Sequence, residues 1–280
     1  MNTKLKIEDI VNLKNKRKIT MLTAYDYPLA YLIDKAGIDI ILVGDSVANV
    51  VLGLESTTQV GMNEMLHHTK AVSRAVKHAL VVGDMPYEAY QISIDDSVKN
   101  AKRFIQEANC DAVKLEWFDK CLEATAMIVK EGIPVMGHIG LTPQTADKLG
   151  GFKVRGKDAE SAKTLIKQAK ELERIGCFSI VLECVPDRIA KIITESINIP
   201  TIGIGAGIFC DGQVLVTHDL LGLFERFKPK FVKQYINLSE LILGAIQNYK
   251  NDVLEGKFPT SLHSFTIKEE ELKKIKEENL

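Results

Sequence analysis

The 280-residue chain lacks a long apolar run, because no stretch approaches the roughly 20 residues that a membrane-spanning helix needs. Its first nine residues, MNTKLKIED, contain no apolar segment of the kind found in signal peptides, so we expect no secretory signal. The formal net charge is only −1, and this gives no reason to expect binding to nucleic acid or to a membrane surface. We interpret the short basic stretch 14–18 as a solvated approach to the first strand.

Cysteine is scarce as well. The chain has five cysteines, an odd number, and no two of them have the C-x2-C spacing used by zinc sites. We therefore expect buried, reduced thiols, which are typical of a cytoplasmic protein. The five positions are Cys110, Cys121, Cys177, Cys184 and Cys210.

What the chain has in abundance is short apolar runs rich in β-branched residues, which alternate with longer amphipathic segments. Most of these runs are continuously apolar, as expected for parallel strands covered on both faces. Eight such units in this length predict an α/β protein with a (β/α)8 TIM barrel, and an open doubly wound sheet is the alternative. The predicted strands are 19–24, 39–44, 79–83, 111–115, 133–137, 178–182, 200–204 and 213–217, and the clearest helical patterns are 95–109, 119–131, 158–175 and 186–197.

The pattern contains no linker rich in glycine, proline or serine, so we expect a single catalytic domain over residues 1–265. Residues 266–280 are mostly charged. We interpret them as a C-terminal tail that is either a frayed surface helix or a disordered segment.

Acidic side chains stand where four of the apolar strands end, namely Asp45, Asp84, Glu116 and Glu183. The carboxyl ends of barrel strands meet at one mouth, where active sites are built. A single carboxylate there could cap a helix, but four would repel one another unless a cation or protons offset their charge. His138 ends the fifth strand and is a further possible pocket residue. Other strands end in Tyr25-Asp26 and His218-Asp219.

Strand alternation predicts which side chains point into the barrel. Lys114 and Glu116 are two residues apart and share a face, while Val113 and Leu115 point outward to the helices. A lysine inside a barrel is costly unless it is paired or used. Lys114 is therefore either the partner of a buried carboxylate or an anion-binding group. By the same alternation Glu183 points inward.

The candidate ligands are carboxylates without a dense histidine or cysteine set, so an oxygen-binding cation such as Mg²⁺ is expected. Asp45, Asp84 and Glu116 come from successive strands and can converge on one ion. His138 alone does not make a zinc site. The pair His67-His68 lies in a helical stretch, and we expect it on the surface.

Together these motifs resemble those of the ketopantoate hydroxymethyltransferase family, also called the 3-methyl-2-oxobutanoate hydroxymethyltransferases. They occur in the family's order over nearly the whole chain, and GHIGLTPQ, DAVKLE and CDGQVLV are the most specific. The matching stretches are TAYDY (23–27), LVGDS (42–46), ESTTQV (55–60), HHTKAV (67–72), GDMPY (83–87), DAVKLE (111–116), GHIGLTPQ (137–144), GGFKVRG (150–156), VLECVP (181–186), GIGAG (203–207), CDGQVLVTHDLLGL (210–223) and HSF (263–265).

The resemblance implies a barrel of the phosphoenolpyruvate/pyruvate type. It also implies transfer of a hydroxymethyl group from 5,10-methylenetetrahydrofolate to 3-methyl-2-oxobutanoate, which gives 2-dehydropantoate in pantothenate biosynthesis. By the same resemblance, Asp45, Asp84 and Glu116 are the Mg²⁺ ligands. The contacts to the 2-oxo acid are Asp45, Ser46, Asp84 and Lys114.

The resemblance further implies that Glu183 is the proton acceptor and that the chain forms a homodecamer. Two stretches depart from the pattern of many members, which carry two glycines at Trp117-Phe118 and Leu-Gly-Met at 47–49. Both departures lie near the predicted mouth. Two other functions are compatible with such a barrel: a Mg²⁺-dependent carbon-carbon lyase of the same superfamily, and a non-catalytic scaffold.

Overall fold

Eight parallel strands close into a barrel in the order in which they occur along the chain. The computed structural model describes residues 3–145 and 153–277, so Gly150 to Phe152 of the GGFKVRG motif lie outside the described residues. The closed barrel confirms the predicted fold, and the open-sheet alternative is wrong. The strands are β1 Ile19–Thr23, β2 Ile40–Val43, β3 Leu80–Asp84, β4 Ala112–Glu116, β5 Val135–Gly140, β6 Ser179–Glu183, β7 Thr201–Ile204 and β8 Gly212–Leu215.

The alternation of side chains along β4 follows the prediction. Ala112 packs in the barrel interior together with apolar side chains such as Met21 and Ile202. Val113 and Leu115 pack instead in the larger core between the strands and the helices. Because successive residues of a strand point to opposite faces, Lys114 and Glu116 lie inside the barrel, between these apolar side chains and the carboxyl-terminal end of the strands.

Helices connect the strands and cover the outside of the barrel. The four helical patterns singled out in the sequence form α6 to α9, and the side chain of Ser93 caps α6 by accepting a hydrogen bond from the Asp96 backbone N–H at 3.1 Å. The helices are α1 Ile7–Val11, α2 Tyr27–Lys35, α3 Val47–Val50, α4 Met62–Ala75, α5 Glu88–Gln91, α6 Ile94–Ala108, α7 Cys121–Lys130, α8 Ala159–Arg174, α9 Asp187–Ser196, α10 Thr217–Leu221, α11 Leu238–Leu254 and α12 Glu269–Glu277.

The C-terminal helices differ from the others in what they bury. α11 has 17 residues and none of them is buried. Its apolar side chains Leu241, Ile246 and Tyr249 are 59%, 58% and 60% exposed. The charged tail forms the exposed helix α12, and its residues 278–280 lie outside the described part of the chain. No helix within the described ranges is both long and apolar enough to cross a membrane.

Two cations at the amino-terminal end of the barrel, Lys14 and Arg17, are paired with aspartates. The Lys14 Nζ lies 2.7 Å from the Asp211 Oδ2, and the two side chains are only 9% and 8% exposed. Arg17 donates two hydrogen bonds to Asp39, at 2.6 and 2.8 Å. The interpretation of 14–18 as a solvated stretch is therefore wrong at Lys14, because distant aspartates meet these cations where the strands begin.

Three aspartates at this end also bind the backbone of a neighbouring strand. Each stands directly before a strand and accepts a hydrogen bond from the first part of the preceding one. The bonds run from the Thr20 N–H to Asp39 at 2.9 Å, from the Val81 N–H to Asp111 at 2.7 Å and from the Thr201 N–H to Asp211 at 2.9 Å.

The remaining sequence predictions concern thiols and histidines. All five cysteines are free, four of them buried and Cys184 partly buried, as expected. His67 is exposed in α4, but His68 is half-buried and its Nδ1 lies 2.7 Å from the Tyr25 carbonyl oxygen. The surface prediction is therefore wrong for His68, since one face of α4 packs against the barrel and carries this ring with it.

Candidate active site

The four acidic strand ends converge at the mouth of the barrel, as predicted. Asp84, Glu116 and Glu183 are the last residues of β3, β4 and β6, and Asp45 stands two residues beyond β2. Asp45, Asp84 and Glu116 are buried, whereas the side chain of Glu183 keeps 15% of its surface exposed. Glu183 is therefore the member of the group that a molecule entering the mouth reaches most directly.

Lys114 provides the positive charge of this cluster. Its Nζ lies 2.9 Å from the Asp84 Oδ1, and both side chains are buried. Burial acts to lower the pKa of Lys114, but the nearby carboxylates of Asp84, Glu116 and Asp45 raise it above its usual value. Lys114 is therefore charged, and the buried ion pair that the sequence left open is present.

Asp84 is held between a cation and another acid. Its Oδ2 accepts a hydrogen bond of 3.1 Å from the Asp45 backbone N–H. Burial, with a further contribution from the charge of Asp45, raises the pKa of Asp84 to about 7, and Lys114 offsets only part of that rise. Glu116 behaves alike, since burial and its acidic neighbours raise its pKa well above the usual range.

His138 lies between the lysine and the fourth carboxylate. Its Nδ1 is 3.2 Å from the Lys114 Nζ, and its Nε2 is 3.2 Å from the Glu183 Oε2. Burial and the charge of Lys114 lower the pKa of His138 well below its usual value, so the ring is neutral. An ammonium group can only donate, so Nδ1 accepts and the ring hydrogen belongs on Nε2, which faces Glu183.

Glu183 has the pKa expected of an acid-base group. Burial raises its pKa to about 7, and the positive charge of Lys114 limits the rise. A carboxyl group with a pKa near neutrality can both accept and return a proton at ordinary pH. This chemistry, next to a charged lysine, suits the removal of a proton from a carbon acid.

Ser46 also lies at the mouth, as the family motif implied. Its Oγ is 2.7 Å from the hydroxyl oxygen of Tyr25, which follows β1. Burial raises the pKa of that tyrosine well above its usual value, so its hydroxyl stays neutral. Ser46 is half-buried and follows Asp45 directly in the chain.

Gln144 was not predicted from the sequence, although it touches two of the candidate ligands. Its side-chain Nε2 donates to the Asp45 Oδ2 at 2.8 Å, and its backbone N–H donates to the Glu116 Oε2 at 3.0 Å. The only signal in the sequence was its place at the end of GHIGLTPQ, which marked the family without marking this residue.

Comparisons with known proteins agree with these motifs. Residues 4–261 match the family model described as ketopantoate hydroxymethyltransferase. The chain belongs to the ketopantoate hydroxymethyltransferase family. A Syntrophomonas wolfei protein named 3-methyl-2-oxobutanoate hydroxymethyltransferase is 56% identical over 262 residues, which cover 94% of this chain and 95% of that protein. A Clostridium botulinum (strain Langeland) protein of the same name is 58% identical over 264 residues, 94% of this chain and 96% of its own length.

Solved structures of low sequence identity share the ketopantoate hydroxymethyltransferase barrel. A 2,3-dimethylmalate lyase, described as a member of the PEP mutase/isocitrate lyase superfamily, superposes with a TM-score of 0.62 at 15% identity over 92% of this chain and 93% of its own. Phosphonopyruvate hydrolase in complex with oxalate and Mg²⁺ gives 0.60 at 11% identity, over 98% and 97% of the two chains. At these identities the likeness shows the fold alone, and it agrees with the barrel type that the motifs implied.

The two departures from the common ketopantoate hydroxymethyltransferase pattern fall beside the site. Phe118 packs the edge of its ring against Tyr90, with ring centroids 5.1 Å apart. Val47 and Ala48 are buried in the short helix α3 directly after Ser46. Neither departure replaces a carboxylate or Lys114, so the charged part of the site is complete.

The chemistry of the donor set fits a hard cation. Burial raises the pKa of Glu116, and the charges of Asp45 and Asp84 raise it further while Lys114 lowers it, so additional positive charge would favour the ionised form of Glu116. Across residues 3–145 and 153–277, no three side chains of His, Cys, Asp or Glu already stand together in a geometry that could hold an ion. Closing three carboxylates around Mg²⁺ would therefore require side-chain rotation, which the attraction between the cation and the carboxylates would drive.

Proposed function

We propose that this chain transfers a hydroxymethyl group from 5,10-methylenetetrahydrofolate to 3-methyl-2-oxobutanoate and so forms 2-dehydropantoate. Family membership supports the reaction class over the lyase and scaffold alternatives. The observation that carries the proposal is Glu183, an inward-facing carboxyl group whose pKa burial raises to about 7. It stands in the same mouth as the buried Lys114–Asp84 pair, so a base and a cation can act on one small acid.

Asp45, Asp84 and Glu116 would hold Mg²⁺. Burial, with a further contribution from acidic neighbours, raises the pKa values of Asp84 and Glu116, and a divalent cation would offset the negative charge of the three carboxylates. When bound, Mg²⁺ acts as a Lewis acid toward the oxygens of a 2-oxo acid. The other groups of the proposed acid site are Ser46 and Lys114.

Lys114 binds the acid and stabilises negative charge on it. An ammonium group has three donors, and the partners that the described residues provide are Asp84 and His138. The third donor can therefore serve an oxygen of the substrate. Charge that develops on the keto oxygen when the adjacent carbon loses its proton would lie in a site of low polarity, where such a donor has its largest effect.

Glu183 accepts the proton from C3 of 3-methyl-2-oxobutanoate. The Nε2 of the neutral His138 lies 3.2 Å from the Glu183 Oε2, so the ring stands beside this carboxylate. A base with a pKa of about 7 is ionised in a large fraction of molecules at neutral pH. The carbon nucleophile then attacks the one-carbon unit of the folate, and a water molecule supplies the hydroxyl group as the bonds from that carbon to the folate nitrogens break. Tetrahydrofolate leaves with two hydrogens on those nitrogens, one from the water and one equivalent to the proton that Glu183 took from C3.

The surface of the chain and its thiols support a cytoplasmic homo-oligomer, of which a homodecamer is the form that the family resemblance implies. Large apolar side chains such as Leu241 and Tyr249 are exposed along α11, and surfaces of this kind mark contacts with other chains. Five free thiols suit a reducing compartment. Sedimentation of the purified protein measures the number of subunits.

The experiment that tests the proposed function is a coupled assay for 2-dehydropantoate with the purified native protein. We expect product only when 3-methyl-2-oxobutanoate, 5,10-methylenetetrahydrofolate and Mg²⁺ are all present, and none after chelation. A matched reaction without folate, supplied with 2-hydroxy and 2-oxo diacids, detects lyase activity. Cleavage of such a diacid together with no folate-dependent product would overturn the proposal in favour of the lyase.

A further inference from the structure

We propose that Gln144 is a positioning residue that fixes the carboxylates of Asp45 and Glu116, and that Tyr90 acts through Gln144 by holding its amide oxygen. The contacts that carry this inference are independent of ligands. Its consequence for cation and acid binding rests on the function proposed above.

Gln144 joins two strand ends that are not neighbours in the barrel. It lies in the short 3-10 turn Pro143–Thr145 that follows β5, and only 4% of its surface is exposed. Its backbone N–H donates to Glu116 at the end of β4, and its side-chain Nε2 donates to Asp45 beyond β2 at 2.8 Å. The same Nε2 donates to the Met85 carbonyl oxygen at 3.1 Å. One residue thus ties together two carboxylates that β3 separates.

Tyr90 anchors the amide oxygen of Gln144, the end that faces away from the acids. Its hydroxyl donates to the Gln144 Oε1 at 2.5 Å, and both side chains are buried. Burial, together with Glu116 and Asp84, raises the pKa of Tyr90 well above its usual value, so this hydroxyl remains a donor. With the amide reversed, its oxygen would face the Asp45 carboxylate and the Met85 carbonyl, which are both acceptors. Asp45 and Met85 therefore exclude that arrangement, and the Tyr90 hydroxyl holds the amide oxygen that remains.

Tyr90 is itself held firmly in place. Its ring packs edge-to-face on Phe118, and its backbone carbonyl accepts a hydrogen bond of 2.9 Å from the Ser97 hydroxyl. Because Tyr90 is fixed, its hydroxyl holds the amide oxygen of Gln144 in one position. The chain of contacts then runs from helix α6, through Tyr90 and Gln144, to Asp45.

These bonds leave one oxygen of each acid for the site. Gln144 occupies the Oδ2 of Asp45 and the Oε2 of Glu116. The Oε1 of Glu116 lies on the side of His138, 3.6 Å from its Nδ1. Without the amide, Asp45 would lose a buried donor and would be free to rotate away from its acidic neighbours.

The test compares Gln144→Met with the native protein by crystallography and calorimetry. Methionine has nearly the same length, removes the amide and retains the backbone N–H to Glu116. We expect the Asp45 carboxylate to change rotamer in the crystal structure, and we expect the affinities for Mg²⁺ alone and for 3-methyl-2-oxobutanoate with Mg²⁺ to fall about tenfold or more. Thr145→Val is the matched control, because Thr145 bonds Thr142 within the same turn and touches neither acid.

Tyr90→Phe separates a positioning role from a purely structural one, since phenylalanine keeps the packing on Phe118. It should weaken Mg²⁺ binding in the native background and have no further effect in the Gln144→Met background, because Tyr90 acts through the amide. Additive losses from the two substitutions would overturn the role given to Tyr90. Thermal melts of all these variants report whether each one is folded.

Two results would overturn the role given to Gln144. One is an Asp45 side chain that keeps its native position in Gln144→Met, and the other is an equal loss of affinity in Thr145→Val. If the native protein binds neither Mg²⁺ nor the 2-oxo acid, the proposed function has failed instead. The crystal structures then decide the positioning role by themselves, since they need no ligand.

Discussion

Acids at the two ends of the barrel have little exposed surface, but their pKa values shift in opposite directions. At the amino-terminal end burial acts to raise the pKa of Asp39, but the hydrogen bonds from Arg17 and Thr20 hold it below its usual value. At the mouth burial is the largest cause of the rise in the pKa of Asp84 to about 7, since Lys114 offsets only part of it and the charge of Asp45 adds to it. The two acids therefore differ in whether hydrogen-bond donors and cations outweigh the effect of burial.

This difference predicts where the molecule is stable and where it is reactive. Pairs such as Lys14–Asp211 leave little unfavourable charge at the base of the barrel. The mouth retains repulsion among its acids, which costs stability until a ligand or a proton relieves it. Substitutions at the two ends should consequently separate folding from chemistry.

The largest effect is expected for Glu183→Gln, which removes the base and leaves its shape. Loss of the C3 proton of 3-methyl-2-oxobutanoate to deuterated water, followed by NMR in the presence of Mg²⁺, should slow by about 10²–10⁴-fold. Binding of the acid should persist. A variant that exchanges at the native rate would remove Glu183 from the role of base and make His138 the next candidate.

The same variant also tests the cost of burying that acid. Because the folded-state pKa of Glu183 is raised to about 7, the fold favours the protonated form, and the stability this group contributes falls as pH rises from the ordinary glutamate value toward 7. At pH 8 the variant should therefore melt no lower than the native protein.

The proton-exchange assay needs one control. If the native protein does not exchange the C3 proton with Mg²⁺ alone, the exchange measurement is repeated with a folate analogue present.

The next effect is expected at the opposite end, for Asp211→Asn. The substitution leaves the ammonium group of Lys14 buried without its counter-charge, and breaking such a pair costs about 3–5 kcal/mol of unfolding free energy. Denaturant unfolding measures this loss. The affinity of the folded fraction for the 2-oxo acid should stay at the native value, and a change in that affinity would show that the two ends are not independent.

A smaller effect is expected for Lys114→Met. The affinity for the 2-oxo acid should fall about tenfold or more, with some Mg²⁺ binding retained. The stability loss should be less than in Asp211→Asn, because Asp84, with a pKa of about 7, can take up a proton when its cation is removed. A large drop in melting temperature with normal acid affinity would instead assign Lys114 a purely structural role.

The sequence predicted the barrel and most of its mouth because both follow from local rules. Strand periodicity placed Lys114 and Glu116 inside, and the acidic strand ends placed four carboxylates together. The pairing of Lys14 with Asp211 could not be predicted in this way, since the two residues are 197 positions apart and only the closed barrel joins them. Gln144 was not predicted as a site residue for a different reason, because an uncharged amide in a turn follows no periodic pattern that would indicate its role.

The aspartates that precede β2, β4 and β8 have a consequence for how the mouth is assembled. A strand that slipped by one residue would exchange its inward and outward side chains, so that Trp117 rather than Glu116 faced the interior. Asp111 opposes that slip by binding the backbone of β3 at the start of β4. Glu116 is the fifth residue after Asp111, about 17 Å further along the extended chain. The register that brings Glu116 to the mouth is thus set at the far end of the barrel, and Gln144 in the turn after β5 then holds its carboxylate.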